Sequence, residues 1–261
     1  MTDKGLQIRA AGRTDVGLRR QHNEDAFVCS DKNGLYVVAD GMGGHAAGEI
    51  ASEKAVETIR NFIDSFQSRE DFTWPFGVDA DLSPQVNLMV TAVKLANRTV
   101  CKLAQEKPEY SGMGTTIVAC LIEERNAAIV HVGDSRAYLL RDGKLNVVTE
   151  DHSWVQEQIR EQLLTEEEAR NHRWRNVITR ALGNRYEVEV DWQVVELEPG
   201  DTLLLCTDGL SGSVAEERIA ALLSQAEEDA QVTCDLLIEE ANRGGGPDNI
   251  TTVLIHADPG P

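Results

Sequence analysis

Three aspartates, Asp40, Asp208 and Asp248, stand at the ends of apolar, strand-like runs. Asp40 follows LYVVA, Asp208 follows LLLCT, and Asp248 precedes NITTVLI. An ionised carboxylate at the edge of a hydrophobic core is costly unless it is paired, hydrogen-bonded or bound to a cation. One Asp-Gly pair alone indicates only a turn, but the repeated pattern predicts a shared cation. Oxygen ligands without clustered histidine or cysteine favour Mg²⁺ or Mn²⁺ over structural zinc.

Two further acidic clusters lie beside arginines. The segment RQHNED places Glu24 and Asp25 just before a strand, with Arg20 in reach of the same end. Arginine is the natural bidentate partner of a phosphate. The segment GDSR places Asp134 and Arg136 between the runs AAIVHV and AYLL. Taken alone, the first cluster also fits an exposed loop with a surface salt bridge, and the second fits a turn held by an internal Asp134–Arg136 pair.

Short β-prone runs and helical periodicities predict the elements that position these residues. Strands are predicted near residues 6–11, 26–30, 35–40, 115–121, 127–132, 137–140, 145–148, 189–195, 202–207 and 250–255. Asn33-Gly34 is a hairpin signal, and residues 115–148 predict a meander or a series of hairpins. Long helices are predicted over 46–66, from the Ser83 cap and Pro84 onward, and over about 229–242. The order lacks βαβ alternation and is typical of the α+β class.

Shorter helices are indicated by three matches to the capping box, in which a hydroxyl and a side chain three residues later satisfy free N–H groups. The matches are Ser153 with Gln156, Thr165 with Glu168, and Ser213 with Glu216. They predict two short helices before about residue 173 and one after residue 212.

Charge and cysteine content limit the class of protein. The 261 residues include 25 Lys and Arg against 44 Asp and Glu, a formal net charge of -19 at pH 7. Such a surface repels phosphate backbones, so we expect no binding to nucleic acid or to anionic membranes. Five scattered cysteines, mostly in apolar runs, are typical of free thiols in a reducing compartment. With no signal peptide or membrane-spanning run, we expect one cytoplasmic domain over residues 1–261.

Seven segments contain or flank the candidate residues: RQHNED from Arg20, VADGMGGH from Val38, GMGTT from Gly112, HVGDSR from His131, TEDHS from Thr149, LCTDGL from Leu205 and GPDNITT from Gly246. In this order they resemble the motifs of the PPM/PP2C family of metal-dependent serine/threonine phosphatases, of the bacterial type. The resemblance implies an α-β-β-α sandwich, in which two packed antiparallel sheets are flanked by helices. It also implies a helical flap subdomain over about residues 153–175.

The same resemblance implies metal-binding roles, direct or through water, for a set of residues: Glu24, Asp25, Asp40, Gly41, Asp134, Asp208 and Asp248. Asp40 is expected to bridge two Mn²⁺ or Mg²⁺ ions, with the Gly41 carbonyl on the second, and Asp208 and Asp248 on the first. Glu24 and Asp25 are expected to hold metal-bound waters. Asp134, together with Asp208, is expected to bind a weaker third ion.

The implied catalytic residues are Arg20, Asp40 and Asp208, with Arg20 also binding the substrate phosphate. Thr115 and Asn249 are implied as supports behind the metal ligands. One departure concerns Met42, which occupies the position where animal members carry a histidine proposed as the general acid. The identity of the general acid therefore stays open, and we expect a metal-bound water rather than His45.

The chemistry fits these residues. Two divalent ions lower the pKa of a bridging water, so that hydroxide attacks phosphorus in line without a phosphoenzyme intermediate, while arginine and metal neutralise the charge on the equatorial oxygens. The predicted function is metal-dependent hydrolysis of phosphoserine and phosphothreonine on proteins, in signal transduction. Expected partners are phosphoproteins and a serine/threonine kinase, and the expected state is a monomer. The alternative is an inactive phosphopeptide-binding scaffold of the same fold.

Overall fold

Two antiparallel sheets form the centre of the computed structural model, which describes residues 5–43, 47–68, 74–225 and 229–260. The first sheet has the strand order β1 (Leu6–Asp15), β11 (Ile250–Pro259), β10 (Thr202–Cys206), β7 (Arg136–Arg141) and β8 (Lys144–Val147). The second has the order β2 (Asp25–Ser30), β3 (Leu35–Met42), β5 (Ile117–Glu123), β6 (Asn126–Val132) and β9 (Asp191–Glu196), and β4 (Gly114–Thr115) pairs with β3.

Helices lie between the strands in sequence. They are α1 (Ala47–Gln67), α2 (Pro84–Glu106), α3 (Trp154–Arg160), α4 (Glu166–Arg170), α5 (Asp208–Ser211), α6 (Glu216–Ser224) and α7 (Ala230–Arg243), with a short 3₁₀ turn over Pro108–Tyr110. No helix in the described ranges is long and apolar enough to cross a membrane.

Alternating side chains divide the core into layers. In β3, Tyr36 and Val38 pack between the two sheets, whereas Leu35, Val37 and Ala39 pack against α1 and α2. This separation follows from the two-residue period of a strand. A third apolar cluster lies between the first sheet and helices α6 and α7. The layers confirm the predicted α-β-β-α sandwich.

Most predicted strands are confirmed, and one connection between strands differs from a single meander. The Asn33-Gly34 hairpin joins β2 to β3, and β5–β6 and β7–β8 are also hairpins. Of the two alternatives for residues 115–148, the series of hairpins is confirmed, and a single meander is wrong because β6 and β7 belong to different sheets. The chain crosses between them at Gly133, whose φ of +111° favours glycine.

The predicted helix caps have mixed outcomes. Ser83 accepts a hydrogen bond from the Val86 N–H, and Thr165 with Glu168 forms a complete capping box. Ser153 caps α3, although the Gln156 side chain bonds to Glu150 instead of reaching back. The box at Ser213 is wrong. Ser213 belongs to the turn that closes α5, where its N–H donates to the Leu210 carbonyl, and α6 begins after Ala215.

Candidate metal centre

The predicted carboxylates gather where strands of both sheets end. Asp25 begins β2 and is paired directly with Asp40 of β3. Asp208 follows β10, Asp248 lies two residues before β11, and Asp134 lies in the crossing from β6 to β7. The strands therefore bring together residues that are up to 223 positions apart in sequence. Burial raises the pKa of Asp25, and the charges of Asp208 and Asp248 add to this.

Asp25 is buried, with 8% of its surface exposed. Its Oδ2 accepts hydrogen bonds from the hydroxyls of Thr207 at 3.0 Å and Thr251 at 2.7 Å, while its Oδ1 has no hydrogen-bond partner. Burial raises the pKa of Asp25 to about 7, against the lowering effect of the two hydroxyls. The exposed loop with a surface salt bridge is therefore wrong for this residue.

Asp40 is fixed through its backbone by two threonines. Its N–H donates to Thr116 Oγ1 at 3.1 Å, and its carbonyl accepts from Thr115 Oγ1 at 2.8 Å and from the Thr116 N–H at 2.9 Å. Burial raises the pKa of the Asp40 carboxyl well above its usual value, and the charges of Asp25 and Asp208 add to this. The Thr115 hydroxyl is thus bonded to the backbone of Asp40.

Gly41 and Glu24 are joined through their backbones. The Gly41 N–H donates to the Glu24 carbonyl at 3.0 Å, and the Glu24 N–H donates to Asn249 Oδ1 at 2.8 Å. A Cβ at position 41 would lie 2.5 Å from the Glu24 carbonyl oxygen, so only glycine allows this approach. The Asn249 amide also donates to the carbonyls of Val16 and His22, both at 2.9 Å. Asn249 therefore fixes the segment that carries Glu24.

Asp134 and Asp208 each keep a buried Oδ1 without a hydrogen-bond partner. Burial raises the pKa of Asp134 to about 7, with the charge of Asp208 adding to it, and burial also raises the pKa of Asp208. Arg136 bonds instead to Asp151, at 2.8 and 2.7 Å. The internal Asp134–Arg136 pair is therefore wrong, and Asp134 is left to face the other carboxylates.

Arg20 lies at the more exposed side of the cluster. Its Nη2 donates to Asp248 Oδ2 at 2.7 Å, and the Asn249 N–H donates to Asp248 Oδ1 at 2.8 Å. The two side chains are 49% and 31% exposed, respectively. Arg20 is therefore accessible to a ligand from solvent while it is held beside the carboxylates.

These residues fit divalent cations. Asp25, Asp134 and Asp208 each present a buried carboxylate oxygen with no hydrogen-bond donor, and an unsatisfied buried oxygen carries a large desolvation penalty. Burial and mutual repulsion raise the pKa of all three carboxyls. A hard cation with oxygen ligands removes both costs. His45, for which the sequence predicted no catalytic role, lies outside the described residues.

Sequence reasoning missed the hydroxyl groups that hold the carboxylates. Thr207 and Thr251 bond to Asp25, Ser52 donates to the Glu24 carbonyl at 2.6 Å, and the hydroxyls of Thr116 and Ser135 are 2.7 Å apart. The available signal was a threonine at the end of an otherwise apolar strand, as in LLLCT and NITT.

The flap segment is attached beside the loop that carries Asp134. Helices α3 and α4 occupy residues 154–170, and the chain entering the flap pairs with the chain leaving it at Ser153 and Ile178. At this base, the His152 N–H donates to the Gly133 carbonyl at 2.9 Å, and the Gly133 N–H donates to His152 Nδ1 at 3.0 Å. The two short helices predicted before residue 173 are confirmed.

An α-β-β-α sandwich with aspartates gathered at the strand ends defines the PP2C class of metal-dependent phosphatases. The chain belongs to this family, because the model of the family described as Protein phosphatase 2C matches residues 18–237. Serine/threonine phosphatase stp of Listeria monocytogenes is 37% identical over 258 residues, which cover 96% of each chain. Serine/threonine protein phosphatase PstP of Mycobacterium tuberculosis is 41% identical over 249 residues, covering 95% of this chain and 45% of that protein.

Solved structures agree with the fold over nearly the whole chain. The crystal structure of the Mycobacterium tuberculosis phosphatase PstP/Ppp has a TM-score of 0.85 at 38% identity, covering 97% of this chain and 99% of that one. The catalytic domain of PstP in complex with two manganese ions has a TM-score of 0.81 at 37% identity, with the same coverage. The family resemblance and fold class predicted from the sequence are confirmed.

Proposed function

We propose that this protein hydrolyses phosphoserine and phosphothreonine on proteins in a metal-dependent reaction. The observation that carries this function is the set of buried carboxylates at the strand ends, three of which keep an oxygen without a hydrogen-bond partner. Family membership supports it, as do the names of relatives at 37–41% identity. Since Asp40, Asp208 and Asp248 are all present, the inactive scaffold has no missing ligand to support it.

The residues that would hold Mn²⁺ or Mg²⁺ are those predicted from the sequence. Asp40, the Gly41 carbonyl, Asp208 and Asp248 are proposed for two ions, in line with the two manganese ions in the PstP catalytic domain. Glu24 and Asp25 are proposed to act through water, and Asp134 with Asp208 to hold a weaker third ion. When bound, the ions act as Lewis acids on the phosphate and lower the pKa of water.

Arg20 is proposed to bind the phosphate. Its guanidinium is partly exposed and donates a hydrogen bond to Asp248. It therefore lies where the oxygens of a phosphate bound at the metal site could accept hydrogen bonds from its N–H groups. When Asp248 serves as a cation ligand, the guanidinium is free to donate to phosphate oxygens instead. There it neutralises charge that gathers on the equatorial oxygens during the reaction.

The cysteines do not supply a nucleophile. All five are free, and four of them are buried. Burial raises the pKa of Cys29 and that of Cys206 to about 12, so neither is a thiolate near neutral pH. This supports direct hydrolysis without a covalent phosphoenzyme.

We further propose that the protein acts in signal transduction as a cytoplasmic monomer, with phosphoproteins and a serine/threonine kinase as partners and one domain over residues 1–261. The free cysteines support a reducing compartment. The net charge of -19 supports a protein partner rather than nucleic acid or an anionic membrane.

Phosphate release tests the proposed function. The purified protein is assayed on p-nitrophenyl phosphate and a phosphothreonine peptide with Mn²⁺, Mg²⁺ or EDTA, beside Asp208→Asn and the control Asp81→Asn, which changes an exposed aspartate in the loop before α2. We expect turnover with metal, none in EDTA, and loss only in Asp208→Asn. A folded, metal-bound wild type without turnover would favour the phosphopeptide-binding scaffold.

A further inference from the structure

A groove of about 240 Å³ lies between α2 and the segment over residues 186–188. Its walls include Lys94 and Arg98 of α2, the ring of Phe76, and Tyr186 with Glu187. None of these residues belongs to the metal centre. The groove therefore lies outside the set of proposed metal ligands.

The Arg98 guanidinium is held by aromatic rings. Its Cζ lies 4.2 Å from the centroid of Phe76 and 5.0 Å from that of Tyr186. A guanidinium that stacks on rings keeps its N–H donors free at its edge, in a fork that matches a carboxylate. Among the described residues, no oxygen accepts a hydrogen bond from Arg98 and no carboxylate forms an ion pair with it. Arg98 is thus oriented by the fold and has donors to spare.

The charges of the groove favour an anion. Lys94 lies one helical turn before Arg98, so both side chains leave the same face of α2. Glu187 is the only acidic residue that lines the groove in the described part of the chain. Two positive charges against one negative are unusual on a chain with a net charge of -19. The local charge therefore complements an acidic side chain.

The segment that carries Tyr186 starts beside the metal centre. Leu182 and Thr115 exchange backbone hydrogen bonds, with N···O distances of 3.1 and 2.9 Å, and the Thr115 hydroxyl donates to the Asp40 carbonyl at 2.8 Å. Three residues lie between Leu182 and Tyr186, so the two Cα atoms are at most about 14 Å apart even in a fully extended chain. One end of the segment that lines the groove is therefore bonded to the backbone directly behind Asp40.

Asn97 fixes this segment to α2. Its Oδ1 accepts from the Gly183 N–H at 2.9 Å, and its Nδ2 donates to the carbonyls of Arg185 at 2.9 Å and Tyr186 at 3.0 Å. Asn97 is 1% exposed. The distance between groove and metal centre is thus set by buried hydrogen bonds and not by a free loop.

We propose that this groove binds an acidic side chain of the phosphoprotein substrate, at a fixed spacing from the phosphorylated residue, and that Arg98 is the specificity-determining residue. The proposal rests on the proposed phosphatase function. It assigns the substrate class to proteins that carry Asp or Glu at this distance from the phosphorylated serine or threonine.

The test uses phosphothreonine peptides in which one glutamate replaces a neutral residue at each position from about five before to about five after the phosphothreonine. In the wild type we expect glutamate at one of these positions to lower KM by about two- to fivefold, as for a partly exposed ion pair. Arg98→Gln should abolish this preference, Lys94→Gln should reduce it, and the control Arg60→Gln, an exposed arginine on α1, should retain it. Arg98→Glu should instead prefer lysine at that position.

Two results would overturn the proposal. One is a wild type with no positional preference for glutamate, and the other is an equal preference in Arg98→Gln. Hydrolysis of p-nitrophenyl phosphate, which is too small to reach the groove, reports the metal centre in every variant. Failure of that reaction in the wild type would count against the phosphatase function itself, so the two failures are distinguishable.

Discussion

Individual carboxylates in this metal centre have one satisfied oxygen and one unsatisfied oxygen, or lack a hydrogen-bond partner on one buried oxygen. Thr207 and Thr251 satisfy one oxygen of Asp25, and the other oxygen has no donor although it is buried. Asp134 and Asp208 show the same unsatisfied oxygen. Such an arrangement is destabilising by itself, and it becomes favourable once a cation is bound. The arrangement of the carboxylates therefore favours cation binding and lowers the stability of the metal-free protein.

Arg20→Ala tests the role of the guanidinium. We expect KM for a phosphothreonine peptide to rise more than kcat falls, because Arg20 is proposed to bind phosphate in the ground state as well as in the transition state. Steady-state kinetics with saturating Mn²⁺ provide the measurement, and Arg60→Gln is the control. An equal fall in kcat and kcat/KM would instead place the contact in the transition state alone.

Asp134→Ala tests the weaker third ion. We expect a folded protein that still binds two ions but turns over more slowly, because Asp134 is proposed for the third ion and makes no ion pair with Arg136 that the substitution would break. Bound Mn²⁺ is counted by calorimetry and compared with turnover. Full activity in this variant would show that the third ion is dispensable.

Among single residues, the acidic residues of the metal centre were predictable from the sequence pattern, whereas the residues that form hydrogen bonds behind them were not. A carboxylate at the end of an apolar strand is unusual enough to be noticed, as at Asp40 and Asp208. A threonine in a strand is ordinary, so the signal at Thr207 and Thr251 was weak, and their bonds to Asp25 became clear only when the strands were paired. Thr115 and Asn249 came from the family resemblance.

Among the elements, the flap base is held by an unusual histidine. His152 is buried and stacks on His131, with ring centroids 4.7 Å apart. Its Nδ1 accepts from the Gly133 N–H at 3.0 Å, and its Nε2 lies 3.3 Å from Asp191 Oδ2 and 3.0 Å from Arg180 Nη1. Arg180 lies beside both His152 and Asp191. Because Asp191 begins β9, the contacts within this cluster tie the base of the flap to the second sheet.

The pH dependence of stability tests this attachment. Burial lowers the pKa of His152 to about 4, with His131 and Arg180 adding to the effect, whereas the unfolded chain has an ordinary histidine pKa of about 6.5. Below about pH 6.5 the unfolded state therefore binds more protons, and the folded state loses stability as the pH falls. In EDTA, we expect wild type to lose about 2 kcal/mol relative to His152→Asn between about pH 7 and about pH 5.

Urea unfolding of both proteins across this range provides the measurement, and His256→Asn in the first sheet is the control. Asparagine can still accept from the Gly133 N–H, so the variant should remain folded. Parallel pH profiles for wild type and His152→Asn would contradict the account of a neutral, buried His152.

The elements themselves were largely predictable, because each strand and helix follows from local periodicity. The exceptions depend on distant partners. No local pattern near Gly133 indicates that β6 pairs with β9 while β7 pairs with β10. Ser213 matches the pattern of a helix cap, although its N–H already donates a hydrogen bond within the preceding turn. Both require knowledge of the tertiary structure.

At the scale of the whole molecule, the core and the metal centre are separable. The three apolar layers form where side chains of the sheets and helices pack on one another, and burying this hydrophobic surface favours folding with or without a bound cation. The net charge of -19 adds repulsion that a bound cation reduces. The arrangement of two packed antiparallel sheets followed from the family resemblance and not from composition or periodicity, because pairing between distant strands leaves no local pattern.

Thermal unfolding with and without metal tests this separation. We expect Mn²⁺ at about a hundredfold its Kd to add about 2.7 kcal/mol of apparent stability over EDTA. Burial raises the folded-state pKa of Asp25 and Asp134 to about 7, above the ordinary aspartate value. The metal-free protein therefore loses stability as the pH rises through about 7, and the gain from Mn²⁺ should be larger at about pH 8 than at about pH 6. Identical melting curves in EDTA and Mn²⁺ would contradict the metal centre.

The most direct measurement counts bound Mn²⁺ and phosphate release in the same samples, for wild type and Asp40→Asn. The account predicts that wild type binds at least two ions and hydrolyses a phosphothreonine peptide as they bind. Asp40→Asn should remain folded but lose both metal affinity and turnover, since Asp40 is proposed to bridge the ions. An Asp40→Asn protein that binds Mn²⁺ and releases phosphate like wild type would contradict the account.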